Sequence, residues 1–140
     1  MANNKRPRKA HKPCSPRIPM TIRFNGEDER KLQLVPHQEL AKLIAGDGDA
    51  TSWHTITARL NTGLVLASAH FPDAAQTMAA ALNAICDVRE RFQRVGKYGV
   101  SGDEARMIGA GLVITDEMQL ASTRRQMRDA VEFVYREGAQ

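Results

Sequence analysis

Apolar side chains recur with helical period, mostly at three- and four-residue steps, along most of this sequence, from residue 49 to its end. Positions three and four apart are neighbours on one face of an α-helix, so the spacing predicts helices. Four successive segments show it, and the sequence therefore predicts an all-α domain. The four apolar stripes are Trp53, Ile56, Leu60, Leu64 and Ala67; Met78, Leu82, Ile85, Phe92 and Val95; Ile108, Leu112 and Met118; and Met127, Ala130, Val131 and Val134.

Two capping boxes mark where the last two helices begin. In Ser101-Gly-Asp-Glu104, the serine hydroxyl accepts from the third backbone N–H of the helix, and the glutamate accepts from the N–H of the serine. Thr123-Arg-Arg-Gln126 has the same form. We therefore expect one helix to start after each box.

Turn and cap residues set the limits of the earlier helices. Asp49 precedes the first periodic segment, Pro72 opens the next, and Gly96 follows that segment's last apolar residue. A further helix is expected from Pro36 to Gly46, because proline is favoured in the first turn of a helix and glycine just past its end.

Residues 20–35 read MTIRFNGEDERKLQLV and predict a β-hairpin packed on the helices. Ile22 and Phe24 alternate with polar residues, Leu32 and Leu34 do the same, and Asn25-Gly26 supplies turn chemistry between the two runs. The alternative is an irregular entry to the first helix, since the proline that follows disfavours helical geometry at residue 35 in either case.

The predicted fold class is all-α: a compact helical bundle of about five helices over residues 36–140, four of them longer and one shorter. The hairpin of residues 20–35 lies across it. Aromatic residues make up only 5% of the chain, so the core relies on aliphatic residues, methionine and alanine. We hold self-association, which would complete so light a core, as a hypothesis.

Residues 1–19, the basic leader, differ from the rest in composition. They contain four prolines and few apolar side chains, so they are expected to be disordered unless bound. The six lysines and arginines of the leader, together with Arg23, place seven positive charges before the first acidic residue. The rest of the chain contains the other thirteen basic residues and all sixteen acidic residues. A charge block on an unfolded arm is typical of an interaction tail. The predicted nucleic-acid-binding residues are Lys5, Arg6, Arg8, Lys9, Lys12, Arg17 and Arg23.

Two further basic clusters predict a secondary anion patch. The first lies at the C-terminal end of the helix predicted to end before Gly96, where the helix dipole favours cations. The second opens the last helix, where cations oppose the dipole, so either the acidic pair Asp116 and Glu117 or an external anion should compensate; internal pairing is the favoured alternative. We expect Tyr98 either to stack on a base or to cover the core. The patch comprises Arg89, Arg91, Arg94, Lys97, Tyr98, Arg124, Arg125 and Arg128.

The sequence does not predict an enzyme. No histidine has a second ligand at a metal-binding spacing, apart from the weak His37-Gln-Glu39, and no phosphate-binding glycine loop follows a strand. We expect His54 to be a surface or packing imidazole and Cys86 a buried, inert thiol. Asp103 and Glu104 are explained by their place at a helix start. No cofactor, metal or catalytic residue is expected.

The two cysteines lack the spacing of a zinc pair or a disulfide framework. The N-terminus does not have the apolar run of a signal peptide, and no stretch approaches the roughly 18 apolar residues of a membrane span. The expected location is the cytoplasm, without membrane association.

The segments PHQELAKLIAGDGDATSWHTITARLNTGLVLA and RVGKYGVSGDEARMI resemble a group of small helical proteins encoded in proteobacterial prophages and other mobile elements. Members are similar in their basic, proline-containing leader, the Trp53-His54 and Arg59-Leu-Asn61 stretch, and the turn before the Ser101 capping box. The resemblance covers about 100 residues, and the group has no established function. It implies phage or plasmid biology and transfers no catalytic residue.

Two functions remain open from the sequence. The first is an accessory protein that binds DNA or RNA weakly through its leader, without strong sequence specificity. The second is a module that binds or inhibits a host defence or replication enzyme, with the leader entering an acidic or nucleic-acid-receiving groove. A third interpretation makes the leader a solubilising extension, or Met20 an internal start.

Overall fold

A computed structural model of the chain describes residues 26–138, and the side chains from Arg30 to Glu137. Within that range all regular structure is helical. The elements are α1 (Gly26–Ala45), α2 (Ala50–His70), a single 3-10 turn (Pro72–Ala74), α3 (Ala75–Val95), α4 (Gly102–Ala121) and α5 (Arg124–Gly138). The predicted all-α bundle of about five helices is confirmed for these residues, but the shortest helix is α5 and not, as expected, the first.

The boundaries predicted from local signals are confirmed for the starts of α2, α4 and α5 and for the end of α3, whereas Pro72 opens a 3-10 turn and α3 itself begins at Ala75. Asp49 caps α2, and Gly96 ends α3 in the left-handed conformation that glycine adopts most easily. Ser101 and Glu104 exchange both bonds of their capping box. Thr123 and Gln126 do the same before α5.

The predicted start of the first helix is wrong. Residues 26–35 are helical, so the second strand of the expected hairpin does not form, and Pro36 lies inside α1 rather than in its first turn. Pro36, Leu40 and Leu43 fall at helical steps and are buried, so burial of this face outweighs both the proline and the local alternation. Residues 20–25, the first half of the expected hairpin, lie outside the described residues, as does the basic leader.

The bundle is organised around α2, which packs against each of the other four helices. Ile56, Leu60 and Leu66 of α2 are fully buried. The alanine-rich core is confirmed, since Ala67, Ala81, Ala84 and Ala130 are also buried. Small residues let the helices approach closely. Where α4 crosses α2 and α3, a Cβ added to Gly111 would lie 2.5 Å from the Cβ of Ala81.

Trp53 ties α2 to α3 inside this core. Its indole N–H donates to the backbone carbonyl of Ile85 over 2.9 Å, which satisfies the polar end of a nearly buried ring. None of the described helices is both long enough and apolar enough to cross a membrane.

Candidate nucleic-acid interface

The basic leader and Arg23 lie outside the described residues, so the seven predicted contact residues stay a prediction. The secondary patch lies within them and can be followed side chain by side chain. The structure separates it into two clusters: the first belongs to α3, which packs on α2 and α4, and the second to α5, which packs mainly on α2.

Arg91 is the most constrained member of the first cluster. Its Nη1 and Nη2 donate to Oε1 and Oε2 of Glu104 over 2.8 and 3.0 Å, and Nη1 also donates to the carbonyl of Gly99 over 2.7 Å. Glu104 is buried and also accepts from the Ser101 N–H. The hydrogen bonds from Arg91 hold the pKa of the Glu104 carboxyl below its ordinary value, against the opposing effect of burial. Arg91 therefore joins α3 to the start of α4 and is not available to an external anion.

Aromatic rings engage two more members of this cluster. The guanidinium of Arg89 lies 5.1 Å from the centre of the Trp53 ring, within the range of a cation–π interaction. Tyr98 stacks on Phe92 with their ring centres 3.9 Å apart, and it packs half-buried against the core. Of the two expectations for Tyr98, the structure therefore favours covering the core.

Arg94 and Lys97 are exposed, but acidic side chains surround the nearest concavity. That hollow, of about 350 Å³, is lined by Arg91 and Arg94 together with Asp87, Glu90 and Glu104. Three carboxylates beside two guanidiniums make a poor site for phosphate, because like charges repel it. The end of α3 is thus a weaker anion patch than its arginines alone indicate.

Two arginines of the second cluster contact a carboxylate of their own helix. Arg125 Nε lies 4.0 Å from Asp129 Oδ2, and Arg128 Nη2 lies 3.6 Å from Asp129 Oδ1. These contacts are long and exposed, so each contributes little. The expectation that Asp116 neutralises this cluster is wrong, because both oxygens of Asp116 face α1 and α2 instead. Arg124 is exposed at the first position of α5.

Asp116 belongs to a polar network that the sequence did not predict. Its Oδ2 lies 2.7 Å from Nε2 of His37, and its Oδ1 accepts from Nη2 of Arg59 over 3.0 Å. Arg59 also donates to Gln119, while its buried Nε has no partner among the described residues. The network links α1, α2 and α4. Local patterns carry no signal for it, because His37 and Asp116 are 79 residues apart.

A groove of about 640 Å³ runs between α2 and α5. Leu64, Val65 and Phe133 form apolar parts of its lining, and His54 and Tyr135 also line it. His54 is exposed and meets Trp53 edge-to-face at 5.1 Å between ring centres, which agrees with the expected surface imidazole.

The expectation of a buried thiol at Cys86 is wrong. Cys86 is exposed and unpaired, because it lies beside, and not within, the buried stripe formed by Ala81, Ala84, Ile85 and Val88. Among residues 26–138, no group of three or more His, Cys, Asp and Glu side chains is placed to hold a metal ion.

Comparison of the chain with protein-family models, with curated proteins and with solved structures gave no match.

Proposed function

We propose that this protein is an accessory factor of a phage or other mobile element that binds nucleic acid through its basic leader, with little sequence preference. The observation that carries this proposal is the division of charge along the chain. Seven cations precede the first acidic residue, while the remainder has thirteen basic and sixteen acidic residues. A polyanion is attracted to the leader and, on balance, repelled by the rest.

The contacts of the body support this division. Arg91 and Arg59 are held by carboxylates of α4, and Arg89 lies on the Trp53 ring. These three arginines stabilise the bundle and are engaged within it, so they do not add to the charge that the leader offers an external partner.

A leader of this kind neutralises phosphates without reading bases, so the binding is weak, becomes tighter as the salt concentration falls and is tolerant of sequence. If all seven cations engage duplex DNA, the slope of log K against log salt concentration is about −6. Single-stranded nucleic acid gives a shallower slope for the same contacts.

A salt titration of the full-length chain tests the proposal. The variant replaces the six lysines and arginines of residues 1–19 by glutamine, which keeps the length of the leader. We expect its slope to become shallower by about 5 on duplex DNA. The matched control replaces Arg94, Lys97 and Arg124 of the bundle by glutamine. Equal slopes for the wild type and the leader variant would overturn the proposal.

A protein-binding module is the second candidate function, and the groove between α2 and α5 favours it. Phe133 and Tyr135 line this groove and leave about half of their surface exposed. Apolar grooves with a few polar groups are common places for a partner's side chains to dock. The partner would be a host enzyme whose acidic or nucleic-acid-receiving surface also accepts the leader.

Capture from a host lysate treated with nuclease separates the two functions. A protein that still binds after nuclease treatment, and that Phe133→Asp releases, supports the second. Loss of every captured protein on nuclease treatment supports the first. His54→Ala is a suitable control, because it changes the same groove without charging its apolar lining.

A further inference from the structure

The solvent-facing side of α4 carries a regular stripe, which we call the α4 outer stripe. Its members are spaced three and four residues apart, so they share one helix face, and all are exposed. The other sides of α4 are covered by α1, α2 and α3. The α4 outer stripe consists of Asp103, Arg106, Ala110, Val113, Glu117 and Leu120.

Large aliphatic side chains stand in the C-terminal half of this stripe. Val113 is 49% exposed and Leu120 is 78% exposed. Asp116, which contacts His37 of α1, is one helical turn from both of them. Leu34, 52% exposed, is one turn from His37 on α1. The three exposed aliphatic side chains therefore flank one helix–helix contact, and exposed apolar side chains grouped in this way often mark an interaction surface.

Two charged residues of the stripe, Arg106 and Glu117, are placed to pair with each other between two copies. A two-fold axis perpendicular to α4, at the level of residues 111 and 112, exchanges the position of Arg106 with that of Glu117, Ala110 with Val113, and Asp103 with Leu120. Two copies of α4 packed antiparallel thus place each arginine against the glutamate of the other copy. The small side chain of alanine faces the larger one of valine, which permits close approach of the two helices.

The present contacts of the two charged residues are compatible with this pairing. Among the described residues, the ion pair of Arg106 is with Asp103, one turn earlier, and both side chains are 78% exposed, so the arginine is able to turn. Glu117 has no ion-pair partner among the side chains that the structure describes.

We propose that the α4 outer stripe, with Leu34 at its edge, is the contact between two copies of this chain in an antiparallel, two-fold symmetric dimer. A self-complementary patch is what such an isologous interface requires. The dimer carries two basic leaders, so a nucleic acid long enough to reach both is bound with a raised effective concentration. That consequence rests on the proposed function, whereas the association itself does not.

Sedimentation of the full-length chain over a wide range of protein concentrations tests the dimer. Wild type is expected to pass from monomer to dimer as concentration rises. Val113→Lys is expected to remain monomeric while circular dichroism shows an unchanged helix content, because the position is exposed. Thr51→Lys, an exposed position on α2, is the control and should dimerise as the wild type does.

Charge exchange tests the antiparallel register itself. Arg106→Glu and Glu117→Arg each create two like-charge contacts across the axis and should weaken the dimer at least about tenfold. The two variants mixed together regain both opposite-charge contacts and should form a heterodimer. The double variant should recover self-association.

A wild type that stays monomeric at every concentration overturns the proposal, as does unchanged dimerisation of both single charge variants. Either result leaves the leader's salt-dependent binding in place, so failure of the dimer is distinguishable from failure of the proposed function.

Discussion

Arg91 of α3 and Glu104 of α4 form a two-pronged ion pair across the loop that joins their helices, with N–O distances of 2.8 and 3.0 Å. The same glutamate accepts from the backbone N–H of Ser101, so one carboxylate caps α4 and anchors it to α3. Charge-assisted bonds in this geometry are among the stronger ones in proteins. The pair accounts for an arginine that sequence reasoning assigned to an anion patch.

Replacing Glu104 by glutamine should destabilise the bundle by about 2 kcal/mol, because Arg91 keeps its charge and loses the carboxylate that neutralises it. Urea unfolding followed by circular dichroism measures the change. Asp103→Asn, one residue earlier and exposed, is the matched control and should alter stability by less than about 0.5 kcal/mol. Equal losses for the two variants would show that the ion pair adds nothing beyond the helix-start charge.

Stability should also depend on Glu104 in acid. Its pKa in the folded protein lies below the ordinary value of 4.5, chiefly because Arg91 donates to it. The stabilisation that the ionised Glu104 carboxylate adds to the folded protein is therefore complete above pH 4.5. It is lost as the pH falls through the pKa of Glu104 in the folded state. The gap in unfolding free energy between wild type and Glu104→Gln should narrow below pH 4.5, and a gap that stays constant there would contradict this linkage.

Gly111→Ala should destabilise the protein although alanine is the better helix former. The added Cβ would lie 2.5 Å from the Cβ of Ala81 and 3.0 Å from Cδ2 of Leu60. Overpacking costs about 1–3 kcal/mol, which outweighs a helix-propensity gain of about 1 kcal/mol. The midpoint of thermal unfolding measures the net loss of stability. Gly102→Ala on the same helix has no atom within 4 Å of the new Cβ and should leave the midpoint equal or slightly higher.

Trp53→Phe should cost about 2 kcal/mol, because the buried carbonyl of Ile85 loses the indole N–H and the smaller ring leaves a gap. Urea unfolding is followed by circular dichroism, since the variant has no tryptophan left for fluorescence. His54→Ala changes the neighbouring exposed ring and should cost less than about 0.5 kcal/mol. A similar loss of stability in the two variants would show that the cost of Trp53→Phe comes from helix propensity and not from the buried hydrogen bond to Ile85.

The start of α2 and the capping boxes of α4 and α5 were predictable because their signals are local. A cap and its partner lie three residues apart, as Ser101 and Glu104 do, so the sequence displays both. The start of α1 was not predictable in this way. Leu32 and Leu34 alternate as in a strand, and only the burial of Leu40 and Leu43 against other helices decides for a helix.

The roles of the charged residues depended on contacts that the sequence does not display. Arg91 and Glu104 are separated by a loop, and Asp116 meets His37 from 79 positions away. A cluster of arginines in the sequence therefore overstated the anion patch, because it did not show which carboxylates fold against it. The division of charge between the leader and the rest of the chain can be predicted without knowing these contacts, because it depends only on the order of the residues.

The bundle's exposed cations should contribute little to nucleic-acid binding. Arg94 shares a hollow with Asp87, Glu90 and Glu104, so a phosphate placed there meets nearby carboxylates as well as the guanidinium. In a salt titration on duplex DNA, Arg94→Gln combined with Lys97→Gln should change the log–log slope by less than about 0.5, whereas two full phosphate contacts would change it by about 1.8. Asp87→Asn combined with Glu90→Gln is the complementary variant: removing two repelling carboxylates should strengthen binding at low salt. A slope that fell by the full amount in the first variant would place part of the interface on α3 and not in the leader.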